Sequence, residues 1–280
     1  AGKIKLEPGV EMARLARKAS QKTPAEIENI LKEAALISAR SKKELIGYKE
    51  ITSAIERIEL GVEHRLNLTP HEREMTAYHE AGHLVTLYLT HPTDDVFKAS
   101  IIQRGGVLGV VHHSPREEIY SHDRNTWLAG VRVSLAGYVA EKLKYGVTTD
   151  GVSSDFKSAM MTAHTMVWRL GMGQSGFVGD FTELPKQHVS EALKEKLNDQ
   201  TQQLLHQALA DVEKTLKAEW HIVERFVKEL LQHDELDFDE IVQVCLEYGK
   251  PPAQPMSYSP PPALLAPAQT PPPPAAGPAV

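Results

Sequence analysis

His79-Glu80-Ala81-Gly82-His83 places two imidazoles four residues apart, with a carboxylate beside the first. On a helix, residues four apart share a face, with Cβ atoms about 5–6 Å from one another. Two ring nitrogens so placed can bind one cation. The glutamate between them then stands beside any water that the cation holds. The chemistry on offer is hydrolysis, with a cation to polarise a carbonyl and a carboxylate to take a proton from water.

That chemistry needs a regular helix under the motif. Thr69-Pro70-His71-Glu72 has the form of a capping box with proline at the first helical position, which predicts a helix starting near Pro70. Met75, Tyr78, Gly82 and Val85 follow at three- to four-residue spacing. Thr90-His91-Pro92 closes the run, because proline lacks the amide and disfavours helix at the residue before it. The motif is the H-E-x-x-H arrangement of zinc peptidases, whose sites use three protein ligands and leave one position open. The plainer reading is a buried helix with two core-facing histidines. Two later carboxylates are placed to be the third ligand. Glu141 lies near the end of a helix closing at Gly146, and Asp155 opens the next helix after a loop over residues 147–154. Each has an ordinary reading too: an acid in a first helical turn is favoured by the helix dipole, and a late helical glutamate is commonly solvated. Spacing leaves both open.

Several segments together resemble the peptidase domain of FtsH-type AAA proteases. They are Thr76-Ala77-Tyr78 before the motif, Ile101-Ile102-Gln103-Arg104-Gly105-Gly106 with Leu108-Gly109, Ala136-Gly137 with Ala140-Glu141, Thr148-Thr149 with Gly151 and Ser153-Ser154-Asp155-Phe156, and Gly171-Met172. They run in family order from about Thr69 to Tyr248. The resemblance implies that His79, His83 and Asp155 bind Zn2+, that Glu80 is the catalytic base, and that Glu141 supports the site from behind the ligands. It also implies polypeptide substrates, a homo-hexameric ring and a membrane anchor in segments that would precede Ala1. The chain departs from the family at Tyr138, where arginine is usual, and at Lys142, where an acid is usual. Asp150 reads as an insertion, Val152 replaces an alanine, and the turn after Met172 is shortened. No departure falls on an implied ligand.

Residues 99–103 and 107–111 read as two short β segments around Arg104-Gly105-Gly106. Such a pair offers either an edge for an extended peptide or a plain structural hairpin. His112-His113 lacks helical ligand spacing and reads as a surface pair after the second segment. Thr23-Pro24-Ala25-Glu26 is another capping box, followed by Ile27, Ile30, Leu31, Ala34 and Ile37 at helical spacing. Ile51, Ala54, Ile55 and Ile58 mark a second stripe. Residues 1–65 thus read as a small helical bundle, and Asn29-Ile30-Leu31-Lys32-Glu33-Ala34-Ala35-Leu36 resembles the helical lid of an AAA ATPase module. No G-x-x-x-x-G-K-[ST] phosphate loop occurs, so the nucleotide-hydrolysing core is expected to lie outside this chain.

The expected fold is mainly α with one small β-sheet: the lid bundle, then a helical zinc-peptidase domain over residues 66–249. Ser190 is placed to cap a long helix with a stripe from Leu193 to Leu216. Ile222, Val223, Phe226, Val227, Leu230 and Leu231 mark another. Asp237 and Glu240 suggest a last helix with Ile241, Val244, Cys245 and Tyr248 inward. Residues 250–280 are rich in proline and alanine and read as a disordered tail.

Composition bounds the rest. A 41% hydrophobic content supports a real core, and the formal charge of −6 argues against nucleic acid as a partner. One cysteine excludes an internal disulfide framework. No apolar run reaches the roughly 18 residues of a membrane span, and no secretory signal is evident. The resemblance therefore supplies the location, the cytoplasmic side of a bacterial membrane or its organelle equivalent. A competing reading is a catalytically silent helical oligomerisation module that keeps the motif as structure. A narrower one is a zinc peptidase with Glu141 as third ligand.

Overall fold

The computed structural model describes residues 5–8, 10, 15–16, 22–61, 68–103, 108–117 and 119–252. Eight helices of more than three residues and three strands are named among them in chain order: α1 (Pro24–Arg40), α2 (Tyr48–Leu60), α3 (Pro70–Thr90), β1 (Asp94–Ser100), β2 (Val110–Pro115), α4 (Arg124–Tyr145), α5 (Ser153–Trp168), α6 (Glu191–Ala218), α7 (Trp220–His233), β3 (Glu235–Asp237) and α8 (Phe238–Glu247). The architecture is mainly helical with one small antiparallel sheet.

Helix starts follow the capping chemistry. Reciprocal caps pair Thr23 with Glu26, Thr69 with Glu72 and Asp237 with Glu240, at the heads of α1, α3 and α8. Ser190 caps α6, and Asp123 caps α4 by accepting from the Thr126 N–H at 2.8 Å. At its other end α4 stops on Gly146 in the left-handed region, φ +72°, where glycine carries no steric penalty.

Helix α3 runs through the centre. It packs on α4, α7 and β1. Ala77, Leu84, Val85 and Leu87 meet Phe226, Leu230 and Ile241 in one buried cluster. The inner side of α4 also joins α5 and α6 in a second cluster around Leu135, Met166, Leu197 and Leu204. The α3–α4 approach is close because its residues are small. A Cβ added at Gly82 would sit 2.7 Å from both the Ala136 carbonyl oxygen and the Ala140 Cβ. Opening that crossing for one methyl is expected to cost roughly 1–3 kcal/mol.

The sheet has the order β2-β1-β3. Its two longer strands differ from the expected segments at 99–103 and 107–111: they occupy 94–100 and 110–115, with Ser100 opposite Val110. Three charges on β1 hid it from pattern reading, and each has a partner from elsewhere. Asp94 meets His113 at 2.7 Å, Asp95 meets Arg116 at 2.6 Å, and Lys98 meets Glu235 at 2.8 Å and Glu56 at 3.0 Å. His112-His113 accordingly lies inside β2, not after it. Arg104-Gly105-Gly106 and Val107 lie outside the described residues. Strand β3 was not anticipated.

At the N-terminal end α1 and α2 pack on a small core of Ile30, Ala34, Ile51, Ala54 and Ile55. Ile27 and Ile58, members of the two apolar stripes, are 36% and 41% exposed. Buried Glu56 ties α2 to the sheet through Lys98. Tyr248, also expected inward, is 36% exposed, because α8 has already ended and it forms the cap. Parts of the expected 1–65 unit and residues 253–280 of the expected tail lie outside the described residues. Among the described residues no helix is long and apolar enough to cross a membrane.

Candidate metal centre

Helix α3 carries His79, Glu80 and His83 in its middle turns, where neighbouring helices bury the backbone. The two imidazoles turn toward one point. Their Nε2 atoms are 3.0 Å apart, with ring centroids at 4.7 Å. Asp155, in the first turn of α5, reaches the same point. Its Oδ2 lies 3.0 Å from His79 Nε2 and 3.4 Å from His83 Nε2. Residues Asp150–Val152 form a 3-10 turn that feeds into α5.

The outer nitrogens of both rings are held. His79 Nδ1 lies 2.7 Å from Glu141 Oε1, and His83 Nδ1 lies 2.7 Å from the Val133 carbonyl oxygen. Both partners only accept, which assigns each Nδ1 a proton and leaves each Nε2 with its lone pair. Glu141 does more than orient a ring. Its Oε2 accepts from the Thr149 N–H at 2.6 Å and its Oε1 from the Thr149 hydroxyl at 3.2 Å. One buried carboxylate thus fixes both a motif histidine and the loop that delivers Asp155.

Two lone pairs and a carboxylate oxygen therefore face one another, with a proton or a cation needed between them. Asp155 Oδ2 is buried without a well-aligned hydrogen bond, despite its close approach to both rings. The separations of 3.0, 3.0 and 3.4 Å are close to the roughly 3.3 Å edge of a tetrahedron built on 2.0–2.1 Å metal–ligand bonds. His79, His83 and Asp155 fit a divalent metal, and they form the group of potential ligands found among the described residues. Glu141 faces the rear of His79 and not this point. As a third ligand it would have to break its contacts with His79 and Thr149.

The same charges set the protonation of the metal-free protein. Burial works against charging His79, but Asp155 and Glu141 outweigh it and raise its pKa to about 10. Burial pushes Asp155 and Glu141 up, yet their contacts with the imidazoles, and with Thr149 for Glu141, hold both below the ordinary carboxylate range. Burial raises Glu80.

Some contributors were not legible as such. Val133 acts through its carbonyl, which no side-chain pattern reports. Gly137 packs flat on the His79 ring: a Cβ there would lie 2.4 Å from Cε1 and 2.5 Å from Nε2. A glycine inside a helix costs roughly 0.5–1 kcal/mol relative to alanine, and that cost was the available signal of a packing reason. The departures at Tyr138 and Lys142 stay off the ligands. Tyr138 meets Phe156 in a tilted ring contact with centroids 5.0 Å apart, and Lys142 lies over the Tyr138 ring.

A cation point on a helix with H-E-x-x-H spacing, completed by a carboxylate from another helix, is the arrangement of a metallopeptidase. The family model described as peptidase family M41 matches residues 66–244, and the chain belongs to that family. It is 34% identical over 254 residues to the ATP-dependent zinc metalloprotease FtsH 4 of Sorangium cellulosum, covering 85% of this chain and 39% of the relative. It is 33% identical over 256 residues to the ATP-dependent zinc metalloprotease FtsH of Neorickettsia risticii, covering 89% and 40%. It is 32% identical over 254 residues to the mitochondrial inner membrane m-AAA protease component AFG3L2 of Mus musculus, covering 86% and 31%. The chain thus spans about two fifths or less of the length of these relatives.

Two outcomes follow for the metal-free protein and for the glycine. His79 has a pKa raised from 6.5 to about 10, so its contribution to stability is complete below pH 6.5 and is lost as pH rises through about 10. Asp155 is depressed below its ordinary 3.8, so its contribution is present above that pH and is lost on acidification. Chelator-treated protein should have its highest unfolding midpoint between pH 3.8 and 6.5, falling toward pH 10. His79→Gln should flatten the alkaline fall, and an unchanged slope in that variant would contradict the assignment. Gly137→Ala should turn the His79 ring and weaken metal binding about 10- to 100-fold, the range seen when ligand orientation is lost. Titration against a chromophoric chelator, with circular dichroism to confirm the helices, measures it; wild-type affinity would refute the packing role.

Proposed function

We propose that this chain contains the zinc-dependent endopeptidase domain of an ATP-dependent, FtsH-like protease. The observation that carries the proposal is the convergence of His79, His83 and Asp155, whose ligand atoms all lie within 4.8 Å of one another. Two imidazoles and a carboxylate suit zinc and also ferrous iron, and the names of the relatives favour zinc. His79, His83 and Asp155 would hold the ion, while Glu141 keeps the His79 ring in the ligating tautomer and orientation. When bound, zinc supplies a Lewis acid and lowers the pKa of its water to about 7.

Glu80 is the base in this reading. It accepts the proton of the attacking water on its carboxylate and delivers it to the nitrogen of the departing amine. Burial raises the pKa of Glu80 in the metal-free protein. The substrate would be an extended segment of an unfolded or membrane protein. The sheet order leaves β2 at an edge, and β2 continues directly from Gly109, which packs on Glu80. Backbone pairing along that edge would grip a polypeptide beside the base with little sequence preference.

We further place α1 and α2 in the lid of the AAA module, and residues 66–249 in the peptidase domain. The nucleotide-hydrolysing core, the membrane anchor and the homo-hexameric ring belong in this reading to the whole protein. The buried link between Glu56 and Lys98 supports a lid that leans on the peptidase sheet.

Metal content by mass spectrometry, paired with casein cleavage with and without chelator, tests the assignments. Wild-type protein should carry one zinc and lose cleavage on chelation. Asp155→Ala should lose the metal, whereas Glu141→Ala should keep it with affinity reduced about 10- to 100-fold. Glu80→Gln should keep the metal and lose about 10²- to 10⁴-fold in rate. Full metal in Asp155→Ala would overturn the ligand set, and retained cleavage in Glu80→Gln would overturn the base. Circular dichroism separates either result from unfolding.

A further inference from the structure

We propose that Gly109 is a positioning residue for Glu80, its bare Cα forming the wall that sets where the carboxylate lies. The inference rests on the reading of Glu80 as the base. Gly109 is buried just before β2, and Glu80 is 5% exposed. A Cβ added to Gly109 would lie 2.5 Å from Glu80 Oε1, and 2.7 Å from both its Cδ and its Cγ. All three nearest atoms belong to this one side chain. Real contacts to a Cβ are not found so short, so something has to move.

The group that moves is predictable. The backbone at Gly109 does not have the positive φ that side chains avoid, so alanine fits the local conformation. The strand beyond it is fixed by pairing with β1. The Cα of Glu80 is fixed within α3, between α4 and the sheet. The flexible end of Glu80 is therefore the softest element at the contact, and the new methyl would swing its carboxylate aside. The three nearest atoms to this methyl are all from Glu80, while His79 and His83 are held from behind by Glu141 and the Val133 carbonyl, so the ligands are expected to keep their places. Gly137 makes the opposite case, since its added Cβ presses on a ligand ring held by Glu141 and Asp155.

Absence of a side chain at residue 109 is thus a requirement of the base, not of the strand. It also makes the foot of β2 and the reacting carboxylate one mechanical unit: whatever shifts the strand at Gly109 shifts the space available to Glu80.

A double-mutant cycle read on metal-free protein tests this without catalysis. Gly109→Ala should lower the unfolding midpoint when Glu80 is present, and the loss should shrink to near zero in a Glu80→Ala background, where the added methyl has room. Equal losses in the two backgrounds would overturn the inference. On the zinc-loaded chain, a short quenched-fluorescent peptide should show kcat reduced on the order of 10²-fold by Gly109→Ala, the scale of a misplacement of about 1 Å. KM and zinc affinity should stay within about threefold of wild type, since uniform binding and the ligands are untouched. Wild-type kcat in Gly109→Ala alongside an inactive Glu80→Gln would sink the positioning role while leaving the base intact. An active Glu80→Gln would instead sink the base itself. Loss of zinc from Gly109→Ala would show a structural defect and contradict the inference.

Discussion

One buried carboxylate holds the candidate site together. Glu141 is 2% exposed, a position in which an ion without partners would cost several kcal/mol. It is tolerated because three donors converge on it: the His79 Nδ1–H, the Thr149 N–H and the Thr149 hydroxyl. Those donors belong to the two segments that must meet. His79 sits on α3, and Thr149 lies in the loop into α5, where Asp155 waits in the first turn. Without Glu141 a ring N–H and a backbone N–H would lose their partner in a partly buried site, at a cost of at most about 1–3 kcal/mol each. The same contact orients the ring, fixes its tautomer and sets the start of α5.

Glu141 can do this because α3 and α4 approach closely. Gly82, Ala136 and Ala140 put nothing larger than a methyl group in the crossing, so the backbone at Gly82 lies against the Ala136 carbonyl and the Ala140 methyl. That approach also lets the Val133 carbonyl reach His83 and lets Gly137 lie flat on the His79 ring. Ligand geometry here is a consequence of helix packing. The sheet adds the remaining wall. Its strand β1 packs on α3, and Gly109, at the foot of β2, lies against Glu80.

Much of this was legible from residue order because local rules decided it. Reciprocal caps at Thr23, Thr69 and Asp237 marked helix starts, and Gly146 marked a helix end. The four-residue spacing of His79 and His83 placed two ligands. What spacing could not do was choose between Glu141 and Asp155. Both are acids near helix ends, and only the resemblance separated them. In the structure one faces the rear of a ring and the other faces the lone pairs. The strands were misplaced because Asp94, Asp95 and Lys98 are poor strand formers in isolation. Their partners, His113 for Asp94, Arg116 for Asp95, and Glu56 and Glu235 for Lys98, are remote in sequence, so no local window could show that those charges were satisfied. Periodicity puts Ile27 and Ile58 on apolar stripes and Tyr248 inward, but it marks the apolar side of a helix and not how far the neighbouring helix extends.

The central claim is that two imidazoles and one carboxylate from separate helices share a single cation. A crystal structure of zinc-loaded protein, with anomalous data collected on both sides of the zinc absorption edge, tests it most directly. The account predicts one strong peak about 2.0–2.2 Å from His79 Nε2, His83 Nε2 and an Asp155 carboxylate oxygen, with Glu141 still hydrogen-bonded to His79 Nδ1. A peak that excludes Asp155, or that recruits Glu141 in its place, would contradict it.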